Sequence, residues 1–459
     1  MKNLLARLQW FCYLLIMLRH GIIGLAVAGV LLSQAADYKL HTFKKIQITE
    51  YFWCEGAYYG DFNHDGKIDI CGGPFWWEGP DFKTCHEFRP ATKTSKIKKP
   101  DGTEITIPGY KGAFGNENDY SDNFLTYVYD FNKDGWDDIL IYGLPGTEVY
   151  WYENPKGQKN PDGTEHWKRH RVFDVLDNES PNFVDITGDG VPEILCNSKG
   201  FIGYAEINRT DPTKEWKWHS ISPKGSWHKY SHGIGYGDIN GDGRTDVLDA
   251  DGWWEQPASL DGDPIWQRHP YPFAPNTGAA QMFGYDFNGD GLNDVLTTLG
   301  PHNFGIAWYE QVRKDGSIDF VKHLIVGKKH EDSKYGVRFS QAHAFDLVDM
   351  DGDGIKDFVT GKRFWAHGPN GDDEPNAPAV LYWFKTVRLP DKSVDFVPYL
   401  VDNDSGVGTQ VAAADVNGDK LPDIIVGNKK GVFVFIHQVK TVSKEEWEQA
   451  QPKPISKAN

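Results

Sequence analysis

The residues of this chain best suited to chemistry are acids, and they recur. A nine-residue pattern appears seven times, its copies starting 48 to 69 residues apart. Its oxygen-bearing positions one, three, five and nine are Asp61, Asn63, Asp65 and Asp69; Asp130, Asn132, Asp134 and Asp138; Asp185, Thr187, Asp189 and Glu193; Asp238, Asn240, Asp242 and Asp246; Asp286, Asn288, Asp290 and Asp294; Asp349, Asp351, Asp353 and Asp357; and Asp415, Asn417, Asp419 and Asp423. Position six is glycine in every copy but the last, which has Lys420. Oxygen ligands at one, three and five, a glycine turn at six, a main-chain carbonyl at seven and a carboxylate at nine are the parts of a calcium cage. Several structural calcium ions are expected. The flanks are not helical, which excludes an EF-hand.

Strands must hold these loops. Short runs such as Gly233-Ile-Gly-Tyr-Gly237 and Val411-Ala-Ala-Ala414 precede them, and apolar runs such as Ile139-Leu-Ile-Tyr142 and Ile424-Ile-Val426 follow. A third run carries two aromatics and an acid: Trp76-Trp77-Glu78, Trp151-Tyr152-Glu153, Trp253-Trp254-Glu255 and Trp308-Tyr309-Glu310, with Tyr382-Trp383-Phe384 as a variant. A fourth sets Trp167, Trp216, Trp266 or Phe320 three residues before His170, His219, His269 or His323. Four strands per unit and seven units predict an all-β fold, a seven-bladed β-propeller over residues 37–439. Tyr38-Lys-Leu-His41 resembles the fourth strand, while the last unit ends near His437 with three. The N-terminal strand is therefore expected to complete the last blade and close the ring. Residues 440–459 are polar and expected to be loose. Once-per-unit recurrence assigns His41, His170, His219, His269 and His323 to structure, and the third-strand tryptophans to packing.

Composition narrows the function. The 459 residues carry a formal net charge of −17, with 49 glycines and 14% aromatics, and mean hydropathy is −0.54. Residues 1–36 hold Lys2, Arg7 and Arg19, two apolar stretches, and Ser33-Gln34-Ala35 ahead of Ala36, but no acid. They read as a secretory signal peptide, with a signal anchor as the alternative, and the body is expected to be exported. Loss of these three basic residues takes the charge from −17 to −20, which excludes general binding to nucleic acid or anionic membranes. No later apolar run is long enough to span a bilayer. Cys54, Cys71, Cys85 and Cys196 include no CxxC pair, and their pairing is left open. GxSxG, HExxH and GxxxxGK[ST] motifs are absent, so no nucleotide loop competes.

The loops and their flanking strands resemble the FG-GAP/VCBS repeats also found in integrin heads, over about residues 50–435. That resemblance implies the propeller but no single function, since the family includes adhesion modules, lectins and lyases. It also implies that each acidic loop joins the innermost strand to the second. The residue six before each first Asp then starts the innermost strand at the opposite rim: Glu55, Phe124, Glu179, His232, Ala280, His343 and Thr409. Imidazoles and carboxylates converging on one axis suit a second divalent metal such as zinc. His232, His343 and Glu179 are the expected ligands, with Glu55 a fourth that His302 can replace.

The same rim receives Trp227-His228-Lys229-Tyr230, the loop from His330 to Arg338, and the long loop from Gly361 to Pro378. His228-Lys-Tyr-Ser-His232 and Gly361-Lys-Arg-Phe-Trp-Ala-His367-Gly-Pro resemble the propeller domain of fungal aldos-2-ulose dehydratase and its bacterial relatives. That resemblance implies a carbon–oxygen lyase that eliminates water from keto-sugars such as glucosone or 1,5-anhydrofructose. This chain lacks the fungal enzyme's C-terminal cupin domains, which removes any linked isomerisation from the expectation. His228 or Tyr230 would be the base, and His367 or Tyr335 the acid. Lys362 and Arg363 would hold developing negative charge. Trp227 and Trp365 stand outside the repeat pattern and can stack on a sugar. The alternative is a non-catalytic propeller, stiffened by calcium, that binds glycan or protein.

Overall fold

The computed structural model describes residues 38–99, 101–115, 117–274 and 278–456. The expected signal segment lies outside them. Among the described residues no helix is long and apolar enough to cross a membrane.

Each acidic loop connects the first and second strands of an antiparallel meander. In the second repeat these strands are Leu125–Tyr129 and Asp138–Tyr142, followed by Thr147–Glu153 and Lys168–Leu176. Five four-stranded sheets of this kind stand alone, and a sheet of eight joins the fourth and fifth repeats. There Ile234–Gly237 pairs in parallel with Gln281–Tyr285. Gly235 permits that approach, because a Cβ on it would lie 1.9 Å from the Met282 carbonyl oxygen. A two-stranded hairpin, Thr94–Lys98 with Glu104–Pro108, is inserted after the first repeat.

Among the described residues the apolar core is divided among seven clusters, each shared by consecutive repeats. Phe62 and Trp76 of the first repeat pack with Ile139 and Tyr152 of the second. Leu296 and Trp308 of the fifth pack with Phe345 and Phe358 of the sixth. The seventh repeat supplies Ile425 and Val434 to a cluster containing Ile70 and Trp77 of the first. The N-terminal strand Tyr38–Thr49 pairs antiparallel with Gly431–Val442, setting His41 opposite Val439 and Phe43 opposite His437.

The once-per-unit histidines have a common job. Each lies against the aromatic ring of the neighbouring strand and meets the acid two residues beyond that ring. His170 is 4.5 Å from the Trp151 ring centre and 2.8 Å from Glu153. His269 is 4.0 Å from Trp253 and 2.8 Å from Glu255. His323 repeats this with Trp308 and Glu310, and His219 with Tyr204 and Glu206. His41 instead meets His437, at 2.8 Å.

The acidic loops are ordered by their own carboxylates. Asp61 accepts from the Gly66 N–H at 2.8 Å, and the other six first-position aspartates accept from the sixth residue in the same way. Gly66 adopts φ 79°, and Lys420 takes the same left-handed turn at φ 75°. The ninth-position carboxylates are buried. Asp69 accepts from Phe62 N–H within its loop and Gly79 N–H beyond the third strand; Asp138, Asp246, Asp294, Asp357 and Asp423 make the equivalent two bonds. Each carboxylate thus ties the loop to its sheet and keeps lone pairs for another partner.

One expectation needs correction. The C-terminal segment is not loose. The last strand runs on to Val442, and a helix, α1 (Lys444–Ala450), follows, capped by Ser443. Trp447 meets Tyr38 at 5.6 Å, Gln451 accepts from the Tyr399 hydroxyl, and Ile455 N–H bonds to Lys334 O. Polar composition hid these few anchoring contacts. The cysteines, whose pairing the sequence left open, are all free thiols; Cys54, Cys71 and Cys196 are buried.

Deleting Tyr38–Ile48 should strip Gly431–Val442 of its partner and expose an open sheet edge. Size-exclusion chromatography and thermal melting are expected to show aggregation and a lower melting temperature. A monomeric truncation melting with the full chain would refute this.

Candidate metal centre

His343 sits on the strand Ala342–Val348 and is fully buried. His232 lies two residues before the strand Ile234–Gly237, and next to it Glu179 N–H bonds to Ser231 O at 2.9 Å, drawing the third and fourth repeats together. His302 lies on the loop after Asp294–Thr298. Gln341 N–H donates to Asn303 O at 2.7 Å, holding that loop against the sixth repeat.

These elements bring four donor atoms together. His232 Nε2 is 3.3 Å from His343 Nε2 and 3.2 Å from His302 Nε2. Glu179 Oε2 is 3.5 Å from His232 Nε2 and 3.4 Å from His343 Nε2. Ligands held at about 2.1 Å around a tetrahedral ion stand about 3.4 Å apart, so both the spacing and the nitrogen–oxygen donor set fit a four-coordinate divalent metal. Burial, reinforced by nearby positive groups, lowers the His302 pKa to about 2 and that of His343 to about 3, which leaves neutral rings with lone pairs to offer. Burial would raise the Glu179 carboxyl, but its contacts with His232 and His343 hold it well below the usual range. Asp372 Oδ1 lies 3.6 Å from His302 Nδ1. That is beyond hydrogen-bond reach, and His302 Nδ1 has no hydrogen-bond partner among the described residues.

The other sequence-derived residues divide. His302, named as a substitute ligand, is the fourth member of the cluster, and Glu55 is not in it. Glu55 faces Arg363, whose Nε donates to Oε2 at 3.0 Å, and lies 3.8 Å from Lys429 Nζ. Phe124 and Thr409 form a floor, with Thr409 N–H bonded to Glu55 O and its hydroxyl to Phe124 O. Ala280 is buried.

Arg363 was expected on an open loop but is only 2% exposed. Its Nη1 lies 3.4 Å from Glu179 Oε2 and 3.0 Å from His343 Nε2, so it already engages two of the four donors. Lys362 does not reach the cluster: it is buried and donates to Ser340 Oγ at 2.8 Å. Burial lowers its pKa to about 8. Alternation along Asp357–Lys362 turns these adjacent residues apart. Tyr335 is also elsewhere, donating to Asp395 Oδ2 at 2.7 Å and lining a 350 Å³ outer groove with Trp308, His323 and Phe396. Trp227 packs edge-on against Trp254, and Trp365 is nearly buried.

His367 does approach the cluster. Its ring centre is 4.4 Å from that of His302, and its Nδ1 is 2.7 Å from Asp372 Oδ1. His228 and Tyr230 are exposed on the loop leading to His232, the latter 44%. Sequence reading missed Lys429. Buried, it donates to Trp365 O at 2.7 Å and holds the His367 loop from the seventh repeat. It also missed Asp372, one of several acids in a loop where only folding selects one. Lys429 carries no local signal, being one of two lysines at an ordinary turn.

The FG-GAP-like repeat model matches residues 130–196 and 286–360, and the FG-GAP repeat model matches 407–434. The chain has an all-β propeller fold with FG-GAP repeats. No curated relative matches it. In this FG-GAP propeller the matched segments include the second, third, fifth, sixth and seventh acidic loops and the strand bearing His343.

Arg363→Met would leave Glu55 charged, buried and without its main partner. The expected loss is about 3–5 kcal/mol in chemical denaturation, and Arg363→Met combined with Glu55→Gln should regain much of it. Equal stability of the single and double variants would contradict the pairing.

Proposed function

We propose that this chain is an exported, seven-bladed, calcium-stiffened propeller whose central face dehydrates a keto-sugar or related saccharide with the help of a second divalent metal. Seven repeat-sharing cores support the blade count, with the eight-stranded sheet read as two blades joined at their inner edges. Pairing of Tyr38–Thr49 with the last strand supports closure of the ring.

One observation carries the catalytic reading: three imidazole nitrogens and a carboxylate oxygen converge at ligand spacing among groups from the third, fourth, fifth and sixth repeats. A divalent ion between them would engage all four donor atoms at once. Bound there, a divalent ion would supply Lewis acidity toward a ketone oxygen. The chain's residues would do the rest. His228 or Tyr230 takes the proton from the carbon next to the ketone. His367, oriented by Asp372, gives a proton to the departing hydroxyl from its other ring nitrogen. Arg363 balances Glu55 and Glu179, so that positive charge stays close to the reacting oxygen without an open ammonium or guanidinium.

A second reading, a non-catalytic binder of glycan or protein, is favoured by the contact of Arg363 with His343 and Glu179. A guanidinium there gives the cluster a cation of its own.

Metal analysis of the purified chain separates the readings. Calcium together with about one transition-metal ion is expected, and His232→Ala or His343→Ala should lose the latter while keeping calcium. Wild-type protein should convert glucosone or 1,5-anhydrofructose to an unsaturated ketone, followed by ultraviolet absorbance. Calcium alone and no conversion would overturn the lyase reading. Excess EGTA should lower the melting temperature sharply, and an unchanged melt would overturn the structural role of calcium.

A further inference from the structure

We infer that the sixth acidic loop is closed by a cation of the chain itself, Lys385, where the other loops would take calcium. This rests on the calcium reading of those loops and departs from it at one site. Three differences coincide in the sixth repeat. Position three is Asp351, where the other loops have Asn63, Asn132, Thr187, Asn240, Asn288 and Asn417. Two residues beyond the third-strand aromatic stands Lys385, where five other repeats have Glu78, Glu153, Glu206, Glu255 and Glu310 and the last has His437. Opposite that aromatic stands Tyr399, paired in register with Trp383, at the place held by His86, His170, His219, His269 and His323.

The consequences are chemical. In the other five repeats the glutamate meets the histidine across the strands. In the sixth, Tyr399 stacks on Trp383 at 4.8 Å in place of the cross-strand imidazole, while His41 reaches the same indole from the neighbouring sheet at 5.3 Å. The side chain two residues on is released from that pair, and it is an ammonium rather than a carboxylate. Lys385 reaches the loop instead, forming ion pairs with both Asp351 and Asp353, the latter at 2.7 Å. Asp349, Asp351 and Asp353 bring ligand oxygens within 4.8 Å of one another, and a positive group already stands against two of them. The added acid and added base occur in the same repeat, and the lysine, standing where other repeats have a glutamate, more than offsets the extra aspartate.

Other basic residues approach other loops differently. Lys67, Lys156, Arg209 and Arg244 each pair with the fifth-position aspartate alone. None spans positions three and five. Lys385 is also among the more enclosed of these groups, with 23% side-chain exposure against 55% for Lys67 and 44% for Arg209. The residues of the sixth loop therefore fit an internal ion pair better than a divalent ion.

The placement matters for the central face. The sixth loop joins Ala342–Val348 to Asp357–Lys362. The first strand bears His343, and the second leads directly into Arg363 and the loop of His367 and Asp372. A covalently tethered cation would keep this strand pair in place when calcium falls, while other repeats loosen.

Calcium content of the full-length chain, dialysed against buffered calcium, tests this together with hydrogen exchange in EGTA. Lys385→Met should bind one more calcium ion than wild type. In EGTA, wild-type amides of Asp357–Lys362 should stay protected while those of Asp246–Asp249 and Asp294–Thr298 exchange faster; in the variant all three should exchange faster. Equal calcium counts in the two proteins, or loss of Asp357–Lys362 protection in wild type alongside the others, overturns the inference. Should neither protein bind calcium, the calcium reading of the other loops fails by itself. The latch is then judged by exchange alone: faster exchange of Asp357–Lys362 in Lys385→Met supports it, and unchanged exchange overturns it. Lys385→Arg, which keeps the charge, should behave as wild type and so controls for misfolding.

Discussion

No repeat in this protein can bury its own apolar surface. A four-stranded meander has two faces, and each face finds its complement only on the next repeat: Trp151 and Val172 of one against Ile194 and Trp216 from the following units, or Val359 and Trp383 against Val411 and Phe433. Burial of roughly 25 cal/mol per Å² of apolar surface is therefore available only to the assembled array. Everything else follows from that dependence. The histidine–acid pairs fix the outer strands against the aromatics, the acidic loops tie first strands to second, and the first strand of the chain completes the pairing of the last.

Assembly of the array also forces charge together at the inner strands. Glu55, Glu179, Arg363 and Lys429 are all buried, and burial is costly for each unless it is paired. Arg363 links Glu55 to Glu179, and Lys429 adds a second positive group, bonded to the carbonyls of Trp365 and Ala366. Burial lowers the Lys429 pKa to about 8. His302 and His343 stand at the margin of this network as neutral rings, with His232 beside them. The same residues thus serve two ends. They balance the interior, and Lys429 holds the loop of the Asp372–His367 pair beside the donor cluster.

The loop from Gly361 to Pro378 shows how a local sequence gains its role from distant contacts. Lys429 anchors it from the seventh repeat, and Asn118, beyond the inserted hairpin, donates to Ala366 O at 3.5 Å. Within it Trp365, Asp372 and Glu374 adopt left-handed backbone conformations at φ 55°, 52° and 48°. Such residues are tolerated where surrounding contacts over-determine the chain. Asp372 uses its position to bond both the backbone and the ring of His367.

By itself, the sequence determined the period, the strands, the acidic loops and the common position of Glu179, His232 and His343, because these depend on local spacing and on side-chain alternation. It also separated the repeated histidines from the central ones by recurrence alone. Only the tertiary structure decided which polar groups meet. Glu55 shares the strand position of His232 yet turns to Arg363, since a buried carboxylate is drawn to the nearest buried cation. Lys362 and Arg363 are neighbours in sequence, but strand alternation sends one to Ser340 and the other to the cluster. His302 joins from a loop outside the repeat, Tyr335 is drawn away by Asp395, and Lys429 carries no local mark of its burial. Period and alternation are properties of one strand; pairing of charges is a property of the space between strands, and that space exists only once the repeats have packed.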